Sequence, residues 1–399
     1  MKIFKQGELK LFKIFYLEAL LSSIFVFFPA FMIIYFANIG LSFFQISLIT
    51  TVLLFFRFIF EIPTGAVADV FGRKLSVLVG LFIAGLAFFS LLFFDNFYYL
   101  IIIFAILGFA GTFESGARES WVVDLIKKEK KNNLQQHYFV KIDSITSIGI
   151  VLSGILGAFF VKQFGLSSIW FFGGIACFSS FFLLLFAKEN FIKRKVKMKD
   201  SFRNLVKQSK ISIKYVRHHN VLFLFLIATA IIAFASEFNG SLAWVPFLKN
   251  LGFPDYAFGY LWSAMGIVGI FAPFISLKSL KKGRERKFIL NLIILTILVL
   301  SLVIFSKSVF FTFIILLSQL FLSGMSRPVE RNYFHKLIKS KLRATVGSVE
   351  GMLLVLASLL AMPLTGLSID SLGAKDTILI SALLMIPSVI IFLKIKDEK

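Results

Sequence analysis

Arg57 and Glu61 stand four residues apart inside an otherwise apolar stretch, and Glu114 and Arg118 repeat the arrangement further on. On a helix this spacing puts acid and base on one face, where they neutralise each other. The other reading is chemical. A charge at the centre of an apolar spanning helix costs about 2.5–3.5 kcal/mol on insertion scales, so it is retained with a partner, beside water, or for a task such as moving an ion. Both readings stay open for the two pairs. Glu237 differs, because no basic residue lies within a turn of it. Buried, it suits an acid that takes and releases a proton; set in an outer vestibule, it simply meets water. Asn239, Trp244, Gln319 and Glu61 are its expected companions in a cavity.

Other chemistries are poorly supplied. The lone cysteine, Cys177, cannot form an internal disulfide, and it lies in the apolar run 167–187. His137, His218, His219 and His335 fall in or beside basic connecting stretches without clustered carboxylates, so neither a metal site nor any cofactor is expected. The pattern G-x-x-x-x-G-K-[ST] of a nucleotide-binding loop does not occur, so ATP is not the direct energy source. An enzyme embedded in a membrane would need a catalytic constellation on a sizeable loop, and the long loop here is basic without paired acids. The net charge of +22 could suit nucleic acid, but the basic residues border apolar runs and no nucleic-acid module accompanies them.

Those apolar runs are the elements that must position the charges. Of 399 residues, 58% are hydrophobic and 16% charged, against about 25% charged in a soluble domain. Crossing a bilayer takes about 20 apolar residues as a helix. Twelve runs meet the requirement, near 14–37, 43–66, 75–94, 97–119, 138–161, 167–187, 221–248, 256–277, 288–306, 308–330, 344–369 and 377–394. The first follows Lys2, Lys5, Lys10 and Lys13 as a signal peptide would. It is too long for one and lacks a small-residue cleavage site, so it reads as an uncleaved span.

Positive residues then orient the spans. With both termini in the cytoplasm, 34 Lys and Arg fall in cytoplasmic segments, and only Lys162, Lys249, Lys307 and Lys375 fall in outer loops. The reading is a multi-pass protein of the plasma (inner) membrane. The basic segment 188–220 divides 1–187 from 221–399. Phe202, Leu205, Val206, Ile213 and Val216 recur there at helical spacing among Lys and Arg, which suits an amphipathic helix on anionic lipid. A calmodulin-like partner would recognise the same pattern.

The two halves are copies. YFANIG (35–40) recurs as FLKNLG (247–252), Gly72-Arg73 as Gly283-Arg284, Ser115-Gly116 as Ser323-Gly324, and Phe164-Gly165-Leu166 as Leu372-Gly373-Ala374, at offsets of 208–212 in unchanged order. Two six-helix bundles related by a pseudo-twofold axis along the membrane normal are expected, with substrate between them. The repeat also matches Arg118 with Arg327 and Asp143 with Glu350, which predicts two equivalent ion pairs, Arg118–Asp143 and Arg327–Glu350, toward the cytoplasmic ends of their spans.

Between the second and third runs stands EIPTGAVADVFGRKLSVLVG. It resembles the signature loop of the major facilitator superfamily, G-x-L-A-D-x-x-G-R-K, with Gly65, Ala68, Asp69, Gly72, Arg73 and Lys74 in place and Val67 for leucine. Gly65 is expected to let its helix approach a neighbour, and Gly72 to allow a tight turn. The resemblance implies that Asp69 helps to close the inner face against helix 11 and that Asp124 pairs with Arg73. The second copy, SLKSLKKGRERK, has no aspartate, so the latch would be one-sided. Gly149, Ser153, Gly154 and Gly157 resemble the antiporter signature G-x-x-x-G-P-x-x-G-G, with serine for a glycine and glycine for the proline; spaced small residues also serve plain helix packing. Phe104 stands where proton-coupled drug exporters carry an arginine.

The resemblance therefore implies a monomeric twelve-helix secondary transporter of the drug:proton antiporter-like branch, exporting a small organic solute against inward proton flow. Import of a nutrient is the alternative within the fold, and a non-transporting receptor or scaffold the alternative outside it. The 53 phenylalanines do not decide for lipophilic cargo, since Phe also faces lipid.

Overall fold

The computed structural model describes residues 4–189, 212–280 and 283–395. The part of the amphipathic pattern at Phe202, Leu205 and Val206 lies outside the described residues. Twelve helices among those described are long and apolar enough to cross a membrane: α1 (Glu8–Asn38), α2 (Phe43–Phe71), α3 (Arg73–Ser90), α4 (Phe97–Lys128), α5 (Asn132–Phe164), α6 (Ser168–Leu185), α7 (Asn220–Asn250), α8 (Asp255–Ser279), α9 (Glu285–Phe305), α10 (Val309–Lys336), α11 (Thr345–Leu372) and α12 (Ala374–Lys394). Each coincides with one of the twelve runs. Large apolar side chains such as Phe186, Phe310 and Tyr98 stand about three-quarters exposed, as befits a molecule whose solvent is lipid rather than water.

The repeat is visible in the backbone. Gly40 and Gly252 both turn with left-handed φ, 90° and 86°, and Gly165 and Gly373 do so at 81° and 89°. A side chain strains that region, which is why glycine recurs at these tight connections. The first spans of the two halves are also interrupted at matching positions. α1 breaks at Val26–Phe27, between Glu8–Phe25 and Phe28–Asn38. α7 breaks at Asn239–Gly240, between Asn220–Phe238 and Ser241–Asn250.

The chain forms two compact units. The first comprises Met1–Ile39, Val52–Phe202 and Asp255–Ser263, the second Gly40–Thr51, Arg203–Pro254 and Ala264–Lys399. Relative to the sequence division at 188–220, the start of α2 goes with the second unit and the start of α8 with the first. In the first unit, Gly154 lies against the backbone of Gly259 and against Ser263, whose hydroxyl donates to the Val151 carbonyl at 2.6 Å. In the second, Gly366 of α11 lies against Phe43, Phe44 and Ser47 of α2. Asp370 accepts the backbone N–H groups of Phe43 and Phe44 at 2.9 and 2.8 Å. It thereby caps two donors that a helix start leaves unpaired.

Each unit has its own core. The first packs Phe12, Phe15, Tyr16, Trp121 and Tyr138 with Val77, Leu125 and Leu184. The second packs Leu222, Phe225, Ile289, Phe334 and Phe392, and Val216 joins it. Val216 is one of the helical residues 212–217, and this member of the amphipathic pattern is buried in protein, whereas Ile213 is exposed.

The close approach at Gly154 makes it sensitive. Gly154→Leu is expected to cost about 1–3 kcal/mol through overpacking. Gly65→Ala is expected to stay within about 0.5 kcal/mol, since a Cβ there meets nothing within 4 Å among the described residues. Melting temperatures of the two purified variants check the contrast.

Candidate functional site

The GRK loop knots four helices. Gly72 turns between α2 and α3 with φ 110°. That places Arg73 at the start of α3, where its guanidinium binds the Asp124 carboxylate and the Ser120 carbonyl of α4. Asp69 stands at 3.9 Å from the same guanidinium, a looser pairing. The Lys74 ammonium donates to the Leu185 and Ala187 carbonyls at 2.7 and 2.9 Å, completing the end of α6. Its backbone N–H donates to Glu189 at 2.9 Å. The expected Arg73–Asp124 pair is present. The close helix approach expected at Gly65 is not made among the described residues.

A second ionic centre sits where α1 and α4 meet. Arg118 binds Glu18 of α1 and, at 2.7 Å, Glu114 one turn back on α4. Glu18 is almost wholly buried. The i,i+4 reading of Glu114–Arg118 therefore holds, while the Arg118–Asp143 pair does not form: Asp143 is exposed on α5, and the guanidinium is already taken by two carboxylates. Nearby, Glu8 is fully buried and receives the Tyr16 hydroxyl and the Lys5 backbone N–H, each at 2.8 Å, together with the Lys141 ammonium. Glu8, Glu18 and the role of Lys141 were missed in the sequence. The available signal was a charge within or beside an apolar run, but a partner on another helix cannot be seen from spacing along the chain.

Arg57 and Glu61 are not within ion-pair distance of each other. Glu61 is exposed, and its contact is the Ser115 hydroxyl at 3.5 Å. The small residues of α5 pack tightly. A Cβ at Gly149 would overlap Ser23, and one at Gly157 would overlap Phe27 and Phe31. Ser153 is buried, with its hydroxyl on the Ile150 carbonyl at 2.8 Å.

In the second unit the polar groups gather at the break in α7. Glu237 accepts the Ser358 hydroxyl of α11 at 2.7 Å, with no cation in ion-pair distance among the described residues. Asn239 donates to Ser381 of α12 and accepts from the Gln319 amide of α10 at 2.9 Å. The Gln319 side-chain oxygen and the Trp244 indole N–H are buried without partners. Glu237, Asn239 and Gln319 thus lie around the break, and Glu61, expected with them in a cavity, is not among their hydrogen-bond partners.

The predicted Arg327–Glu350 pair is not made either. Arg327 acts electrostatically on Glu330, and Glu350 sits in the fields of Glu330 and Arg331. Glu330, one turn from Arg327 and missed in the sequence, accepts the Ser326 hydroxyl. Arg327 and Arg331 instead line a cavity of about 460 Å³ between α8 and α10, with Met265, Gly269, Pro273 and Ser323.

Residues 17–354 match the family model described as Major Facilitator Superfamily. The chain is 23% identical over 379 residues to a Bacillus subtilis (strain 168) protein described as the uncharacterized MFS-type transporter YxaM, with 92% of each chain covered. Its fold resembles that of the nucleoside transporter NupG, with a TM-score of 0.72 at 14% identity over 99% of this chain and all of that one. It also resembles a bacterial homologue of the iron transporter ferroportin, with a TM-score of 0.69 at 16% identity over 98% of this chain and all of that one. For a D-xylose–proton symporter the TM-score is 0.68 at 12% identity, over 96% and 98% of the two chains.

Removing Glu18 leaves a largely buried guanidinium short of one carboxylate. Glu18→Gln is expected to destabilise the protein by about 3 kcal/mol, and Asp143→Asn by less than about 0.5 kcal/mol. Thermal unfolding of the purified variants tests the ranking.

Proposed function

We infer the activity from one premise: the chain belongs to the Major Facilitator Superfamily and is a membrane transporter of that type, not an enzyme. The reading we favour is secondary active efflux of a small organic solute by alternating access, driven by protons moving inward. The protein would work as a monomer in the plasma membrane with both termini in the cytoplasm, the orientation that the 34-to-4 division of Lys and Arg favours.

The observation that carries proton coupling is Glu237. The carboxylates of Glu8, Glu18 and Glu114 are held by cations, and changing their charge breaks an ion pair. Glu237 is held by one hydroxyl, so its proton can come and go without breaking one. It also lies beside the helix break in α7, and interrupted spanning helices are where transporters of this general kind expose backbone groups to cargo and coupling ions. Asn239, Gln319 and Ser381 add donors and acceptors at the same break. Efflux as the direction is supported by the resemblance of the α5 stripe from Gly149 to Gly157 to the antiporter signature. In the loop, Asp69 is the half-exposed acid near Arg73 and the residue through which the conformational switch is proposed to act.

An efflux-deficient bacterium expressing the chain should resist some members of a toxic-compound panel. Asp69→Asn and Glu237→Gln, inserted at matched amounts, should each lose that resistance. Absence of protection by the correctly inserted wild-type chain would sink the export reading. Full protection by Glu237→Gln would remove that residue from the coupling step.

A further inference from the structure

The repeat places Arg118 and Arg327 at matching positions, yet their surroundings differ. In the first unit, Arg118 is bound by Glu18 and Glu114. Carried across at the offsets of the flanking landmarks, Glu114 becomes Leu322 or Ser323, and Glu18 becomes Ala230. The arginine is kept and both of its carboxylates are gone. Arg331, one turn further along α10, adds a second guanidinium without a counterpart in the first unit, where Val122 stands. Both arginines line the same cavity, and neither lies within 4.0 Å of a carboxylate among the described residues.

We propose that this cavity, between α8 and α10 of the second unit, binds the acidic oxyanion of a small organic solute through Arg327 and Arg331.

Two like charges four residues apart on a helix repel each other, and an oxyanion between them turns that repulsion into two charge-assisted contacts. The guanidinium fork matches carboxylate and phosphate oxygens in a way that a lysine ammonium does not. The nearby acids do not perform this task. Glu330 takes the Ser326 hydroxyl, and Ser326 is buried on the face of α10 beside the one that carries the exposed arginines. Glu350 remains beyond ion-pair distance of both. Snorkelling to a lipid headgroup is the competing role for both arginines, since Arg327 lies three residues before the end of the apolar run 308–330 and Arg331 one residue past it. Met265, Val268, Pro273 and Leu320 give the cavity an apolar wall beside the hydroxyl-bearing Ser323, with room for an organic body behind the acid group.

That the bound solute is cargo rests on the transporter reading above, whereas binding is measurable without transport. The test uses the purified full-length protein in phosphatidylcholine nanodiscs, with inorganic phosphate as the probe and chloride at equal ionic strength as the reference. Phosphate should raise the melting temperature saturably above the chloride value. Arg327→Gln and Arg331→Gln should each weaken the half-saturating concentration at least about tenfold, the loss of one charged hydrogen-bonding partner. Lys339→Gln, at an exposed residue just past α10, should respond as the wild type does. A phosphate response no larger than that to chloride, or an undiminished response in both arginine variants, would overturn the proposal. If phosphatidylglycerol in the nanodiscs reproduced the stabilisation and left phosphate inert, the occupant would be a lipid headgroup and the solute reading would fall. Failure of transport with phosphate binding intact would count against the cargo role alone.

Discussion

The hydrocarbon core of a bilayer has no water with which to satisfy a charge, so every ionised group placed there must be locked to a partner or kept for use. In the first unit the locks dominate. Arg118 is held between Glu18 and Glu114, Glu8 gathers Lys141 and Tyr16, and Arg73 is fastened to Asp124. These contacts join α1 to α4, α1 to α5, and α3 to α4. They fix the helices around the aromatic core of Phe12, Phe15, Trp121 and Tyr138. A buried ion pair is weak evidence of net stability, but breaking one by removing a single partner is costly, so the arrangement tolerates little change.

The second unit uses the same helical plan with different contents. Its first span breaks where α1 breaks, yet Glu237 and Asn239 stand where the repeat puts Phe25 and Phe27. Its tenth helix keeps the repeated arginine without the carboxylates that neutralise it in the first unit. A duplicated scaffold has thus kept its packing landmarks, such as the left-handed glycines, while the two copies diverged in where polar groups are satisfied internally. Unlocked groups occur in both copies, Glu61 in the first and Glu237, Arg327 and Arg331 in the second, and the second set carries the proposed solute and proton chemistry.

Much of the fold was legible in the sequence. Twelve apolar runs, the signature loop and the ordered repeat each follow from residue type and spacing, and all twelve spans stand where those runs lie. The pairing Arg73–Asp124 was readable because a family pattern supplied the partner, and Glu114–Arg118 because the two stand four residues apart, a spacing that still brings them together across the turn at Ser115–Gly116. Most of the failures have one cause. The repeat pairs Arg118 with Asp143 by matching Asp143 to Glu350, but sequence offsets do not reveal which face α5 turns toward α4. Glu18, on a helix distant in sequence, was the true partner. The same blindness to helix rotation hid Glu330, whereas Arg57 and Glu61 share one helix and one face and still do not form an ion pair. The α5 stripe packs closely, since Gly149, Gly154 and Gly157 each meet a neighbour that a side chain would strike.

On the proposed reading, the carboxylate of Glu237, held by one hydroxyl, couples movement of the solute to protons. The most direct measurement is the internal pH of proteoliposomes containing the purified wild-type chain and a trapped pH-sensitive dye, as a solute identified by resistance screening is added outside. The account predicts a solute-dependent pH change that requires the protein and scales with solute flux. Solute flux without any accompanying pH change would contradict it.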